Sequence, residues 1–147
     1  RLYGLSRGTS KARIAYYREE LAKLRLGLED KMDVKVGSLS GGQRQAIALL
    51  MCAMTPIKFL ILDEHTAALD PKTAERIMEL TDTIVKEKRL TTIMVTHNLR
   101  YAVEYGNRLV MMHEGKIIFD KKEEEKRDIQ VEDILTLFNE ISIECGN

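Results

Sequence analysis

The chain has 147 residues, room for one hydrophobic core, and sets 23 Lys and Arg against 23 Asp and Glu, for a pI near 7.0. That balance forces no basic surface, which weakens a nucleic-acid reading. The longest apolar run, Ala46 to Met54, is too short to span a bilayer, and no signal peptide is visible.

In chain order, Ile14, Tyr17, Leu21, Leu24 and Leu28 recur at helical steps with Arg and Lys between them, predicting an amphipathic helix. Gly27 and the polar run Glu29 to Asp33 predict a loop ending at Gly37. A second helix is predicted from near Ser40 to about Met54, stopped at Thr55-Pro56 because proline disfavours helix in the residue before it. Cys52, inside that helix, lies far from Cys145, which favours reduced thiols. Residues 57–62, Ile-Lys-Phe-Leu-Ile-Leu, read as a parallel strand covered on both faces.

Asp70-Pro71 predicts a capped helix whose buried stripe is Ala74, Ile77, Met78, Thr81, Ile84 and Val85, ending near Lys88. A strand at Thr91 to Thr96 ends in His97-Asn98, and a short helix follows from Leu99 to Tyr105. Glu114-Gly115 predicts a tight hairpin between Leu109–Met112 and Lys116–Phe119. The mixed-charge tract Lys121 to Asp128 reads as a solvated loop or helix edge. A last helix carries Val131, Ile134, Leu135, Phe138 and Ile141 on one face. Strand–helix alternation predicts an α/β core, preceded by a helical piece.

The chemistry concentrates in a few places. Ser40 can cap a helix opened by Gly41 and Gly42, where missing side chains and the positive end of the helix dipole would admit a phosphate. An ordinary capped helix start is the plainer reading of Ser-Gly-Gly alone. The Gln43-Arg44-Gln45 that follows, with its Ala/Leu-rich helix, favours the functional one. Asp63 and Glu64 close an apolar strand. On extended backbone their side chains would point to opposite sides, one toward a metal and one toward an attacking water. Capping alone is enough to explain Asp70, and an added interface role stays open. His97 ends a later strand, where a lone histidine is more often packed or hydrogen-bonded than catalytic, yet its place is near the same sheet edge, where open α/β sheets bind ligands. His65 is expected to shape its turn, His113 belongs to the hairpin, and no Cys/His spacing suits zinc.

These residues carry a resemblance. Leu39-Ser-Gly-Gly-Gln43 resembles the signature motif of ABC-type ATPases, and Phe59-Leu-Ile-Leu-Asp63-Glu64 their Walker B strand with its catalytic glutamate. Ala67-Ala-Leu-Asp70 resembles their D-loop, and Val95-Thr-His97-Asn98 their switch histidine. The resemblance implies a magnesium ion on Asp63, a water polarised by Glu64 and a γ-phosphate contact from His97. Ser40, Gly41, Gly42 and Gln43 would close over ATP held by a second nucleotide-binding subunit, and Asp70 would couple the two composite sites. His65 stands where the family usually has proline, and Ala67 where it has serine.

No Gly-x-x-x-x-Gly-Lys-Ser/Thr phosphate loop occurs in the sequence. With the start at Arg1, that suggests a C-terminal half without Walker A: a partial P-loop NTPase core with parallel strands, preceded by part of the helical signature subdomain. Residues 1–55 would be that subdomain with the signature helix, and residues 56–147 the second half of the ATPase core with the C-terminal hairpin and helix. Such a piece would bind ATP and Mg2+ weakly or not at all, would be inactive alone, and could self-associate through uncovered sheet faces.

The whole protein is expected to be the ATP-hydrolysing subunit of a bacterial importer of small nutrients at the cytoplasmic face of the membrane. Its partners would be transmembrane permease subunits and an extracytoplasmic substrate-binding protein, with no nucleic acid. The competing readings are a soluble superfamily member in DNA repair, chromosome structure or translation, and a non-catalytic interaction module. The short first helix argues against the coiled coils of the repair and chromosome proteins. Intact Asp63, Glu64 and His97 argue against degeneration.

Overall fold

The computed structural model describes residues 10–144, with side chains as far as residue 140, so Ile141 of the expected apolar face and Cys145 lie outside the described side chains. The chain divides into two compact units, one ending at Ile93 and the other starting at Met94.

The first unit opens with helix α1 (Lys11–Lys23), capped by Ser10, whose side chain accepts the Arg13 N–H. Leu24 and Leu28 fall beyond its end, yet both are buried. A loop and a 3-10 turn (Val36–Ser38) lead to α2 (Gly41–Met54), which stops at Thr55 as Pro56 requires. Strand β1 (Phe59–Asp63) follows, then α3 (Pro71–Lys88), which ends at Arg89 in the left-handed conformation. Ala74, Ile77, Met78, Thr81 and Ile84 of α3 are buried, the stripe that its sequence spacing sets.

Strand β2 (Thr91–Val95) pairs with β1 in a two-stranded sheet. The Thr91 N–H donates to the Lys58 carbonyl at 3.0 Å, so the strands start side by side, as in a parallel β–α–β unit. The expectation that β1 is covered on both faces is corrected. Leu60 and Leu62 are buried, whereas Phe59 is 49% and Ile61 66% exposed, because the described residues cover only one face of the sheet.

The second unit contains α4 (Leu99–Glu104), a hairpin of β3 (Arg108–His113) with β4 (Lys116–Lys122), a single-turn helix α5 (Glu124–Arg127) and α6 (Val131–Glu144). Glu114 and Gly115 both have positive φ, 47° and 74°, as a two-residue hairpin turn with the twist of its strands demands. The ladder pairs Met111 with Phe119 and Met112 with Ile117, leaving Ile118 as a bulge. Met111, Ile129 and Ile134 form the core, with Leu99, Val103, Leu109, Phe119 and Leu137 packed against it.

Two expectations fail in this unit. On α6, Ile134 and Leu137 face the core, while Leu135 and Phe138 are 46% and 45% exposed, because the small hairpin core accepts only a narrow stripe of the helix. The tract Lys121 to Asp128 is not uniformly solvated. Lys126 of α5 is 4% exposed, and its ammonium donates to the carbonyls of Val103 and Tyr105 at the end of α4.

Candidate nucleotide-facing site

The start of α2 is built by reciprocal hydrogen bonds. Ser40 stands on extended backbone, and its hydroxyl accepts the Gln43 N–H at 3.2 Å. The Gln43 side-chain carbonyl accepts the Ser40 N–H at 3.1 Å, which completes a capping box. The same carbonyl accepts from the Lys31 ammonium at 3.3 Å, and the Gln43 amide donates to the Leu26 carbonyl at 3.0 Å. Gln43 therefore fastens the preceding loop to the helix start, and the Arg44 guanidinium fastens the Leu39 carbonyl. Ser40 itself is exposed.

Gly41 and Gly42 occupy the first turn of α2. A Cβ at Gly42 would lie 2.2 Å from Thr73 Cγ2, and one at Gly41 would lie 3.0 Å from Leu69 Cδ2. The absent side chain at Gly42 thus has a cause inside the chain, the close packing of α2 on α3. Sequence reasoning sought the cause in an approaching phosphate, and no local pattern at Thr73 points to the packing.

Asp63 ends β1 and is exposed, as is Glu64. The expectation that both stand on extended backbone is corrected, because Glu64 has φ +44°, in the left-handed region. Strand alternation therefore does not set the direction of its side chain. The backbone turns at once: Ala67 N–H donates to the Glu64 carbonyl at 2.9 Å, and Leu69 N–H to the Thr66 carbonyl at 3.1 Å. His65 Nε2 lies 3.3 Å from the Thr81 hydroxyl, which itself donates to the Ile77 carbonyl at 2.7 Å. That contact ties the turn after the carboxylates to α3, and burial pushes the imidazole pKa below its ordinary value.

Asp70 caps α3, and its carboxylate accepts the Thr73 N–H at 3.0 Å. The Thr73 hydroxyl is the larger cause, and the Thr73 N–H the next, of an Asp70 pKa held below the ordinary carboxylate value. Thr73 is thus the common neighbour of Gly42 and Asp70.

His97, in the second unit, is exposed in a turn that its neighbours fix. The Thr96 hydroxyl accepts the Asn98 N–H at 3.0 Å, and the Asn98 side chain caps α4 by accepting the Tyr101 N–H at 3.2 Å. Ser40, Gly41, Gly42, Gln43, Asp63, Glu64 and Asp70 all belong to the first unit. Among the described residues no group of three or more His, Cys, Asp or Glu could hold a metal, and no helix is long and apolar enough to cross a membrane.

Residues 9–67 match the family model of ABC transporters. Over 118 residues the chain is 52% identical to a tyrosine transport ATP-binding protein of Clostridioides difficile, a match that covers 80% of this chain and 47% of that protein. It is 42% identical over 98 residues to a phosphonates import ATP-binding protein of a Ruegeria species, covering 67% of this chain and 38% of the relative. The solved ATP-binding cassette MJ1267 of an ABC transporter superposes with a TM-score of 0.67 at 25% identity, over 92% of this chain and 52% of that one. The chain thus spans about half the length, or less, of these relatives.

The likenesses correct two expectations, a resemblance limited to a C-terminal half without Walker A and a merely partial core. The family match begins at residue 9, and the likeness to the solved cassette extends over 92% of the chain.

Proposed function

We propose that this chain, an ABC-type ATPase by sequence likeness and by fold, serves as the ATP-hydrolysing subunit of a bacterial importer of small nutrients. The observation that carries the reading is the exposed carboxylate pair Asp63 and Glu64 delivered at the end of β1. The capped glycine turn Ser40 to Gln43 in the same unit and the 52% identical tyrosine transport relative support it.

In this reading the exposed Glu64 carboxylate accepts a proton from the water that attacks the γ-phosphate, and the left-handed backbone fixes where that carboxylate starts. His97 contacts the γ-phosphate. Ser40, Gly41 and Gly42 present their hydroxyl and N–H groups to ATP held by a second nucleotide-binding subunit. Gln43, whose amide is already engaged by Leu26, Lys31 and Ser40, contributes by holding that turn in shape. Asp70 couples the two composite sites.

Magnesium fits the residues present, since Mg2+ is commonly held by one or two carboxylates together with substrate phosphates and water, and Asp63 is an exposed carboxylate at a strand end. When bound it supplies positive charge to the phosphates. The further partners in this reading are permease subunits and a substrate-binding protein, with the chain docked peripherally on the cytoplasmic face of the membrane.

Glu64→Gln in the intact protein tests the central role. Turnover is expected to fall by roughly 10²- to 10⁴-fold while ATP binding persists. Hydrolysis near the wild-type rate in that variant removes Glu64 from the role of base.

A further inference from the structure

We propose that Thr73 is a positioning residue that locks the glycine turn of α2 to Asp70, so that the two move as one body. The claim rests on the ATPase reading for its functional part and on packing alone for its structural part.

One short side chain does both jobs. Its methyl, Cγ2, closes on Gly42 so tightly that a Cβ there would lie at 2.2 Å, inside any real carbon–carbon contact. Its backbone N–H donates to the Asp70 carboxylate at 3.0 Å, and its side chain is the first cause of the lowered Asp70 pKa. A β-branched residue is stiff about χ1, so the methyl cannot swing away without moving the hydroxyl as well. Leu69 repeats the arrangement one residue before Asp70, with Cδ2 placed 3.0 Å from a Cβ on Gly41. Both glycines of the turn therefore rest on the segment that carries Asp70. A displacement of Asp70 is thereby passed to the N–H groups of Gly41 and Gly42 through side chains that leave no room for a Cβ at Gly42.

Serine and valine each keep half of Thr73, and so separate its two tasks. In the intact protein, Gly42→Ala is expected to lower both the melting temperature and ATP turnover, the latter by about tenfold. Adding Thr73→Ser, which removes the methyl in the way, restores turnover to within about twofold of Thr73→Ser alone and recovers the melting temperature. Adding Thr73→Val, which keeps a methyl there, restores neither.

Thr73→Val by itself, which removes the hydroxyl that favours the charged Asp70, should lower the Hill coefficient of ATP hydrolysis toward unity. A loss of folded protein would not move that coefficient.

If Gly42→Ala costs the same melting temperature with Thr or Ser at position 73, the lock is overturned. Recovered melting without recovered turnover overturns the positioning role, because the glycine is then needed by the nucleotide itself. A wild-type protein without ATP turnover overturns the ATPase reading, and the melting comparison alone then decides the contact.

Discussion

Asp70 shows how a single carboxylate can have a structural task complete in itself and still face outward. The Thr73 side chain and the Thr73 N–H, which its Oδ1 accepts at 3.0 Å, stabilise the charged form and hold its pKa below the ordinary 3.8. A carboxylate with a depressed folded-state pKa contributes stability that is fully present above 3.8 and is lost as the pH falls through the lower folded value. Asp70→Asn keeps a capping oxygen but cannot titrate. The melting temperature of wild type should therefore drop more steeply on acidification across that window than that of Asp70→Asn, and parallel curves would refute the assignment. Ser40 and Asp70 were legible as caps because capping is decided within a few residues. Glu64 was half legible. Its exposure at the strand end follows from the apolar run before it, whereas its positive φ depends on the turn tied down by His65 and Thr81, far apart in sequence.

Elements were read well where one periodicity ruled from end to end, as in α3, whose stripe and Asp-Pro start are both local signals. The reading failed where tertiary packing chose among apolar positions. On α6 the sequence offers a wide apolar face, and the small hairpin core takes only Ile134 and Leu137 from it. The failure at α5 has a different source. Lys126 looks like one charge in a solvated run, yet its ammonium supplies the donors for two carbonyls at the end of α4, and burial lowers its pKa. Lys126→Ala should destabilise the second unit by about 1–3 kcal/mol, the penalty for leaving buried acceptors unsatisfied. Neighbouring Lys122, which is exposed, should tolerate alanine within about 0.5 kcal/mol. Urea titrations of the two variants distinguish a structural lysine from a solvated one.

Across the whole molecule, strand–helix alternation carried the α/β reading, and short ordered strings carried the resemblance to ABC-type ATPases. Which faces are covered was not legible, because an apolar strand reads alike whether one or both of its sides are packed. β1 makes the difference measurable. Leu62 is 7% exposed and Ile61 66%, so Leu62→Ala should cost about 2–5 kcal/mol and Ile61→Thr less than about 0.5 kcal/mol, read as shifts in melting temperature. Comparable losses at both positions would mean that something covers the outer face of the sheet in solution. The left-handed backbone at Glu64 carries one more consequence. Valine, isoleucine and threonine are poorly tolerated there whatever their chemistry, whereas glycine, asparagine and aspartate fit the conformation with little penalty. The substitutions open to natural variation or laboratory selection at this position are thus screened by the main chain before any test of reactivity begins.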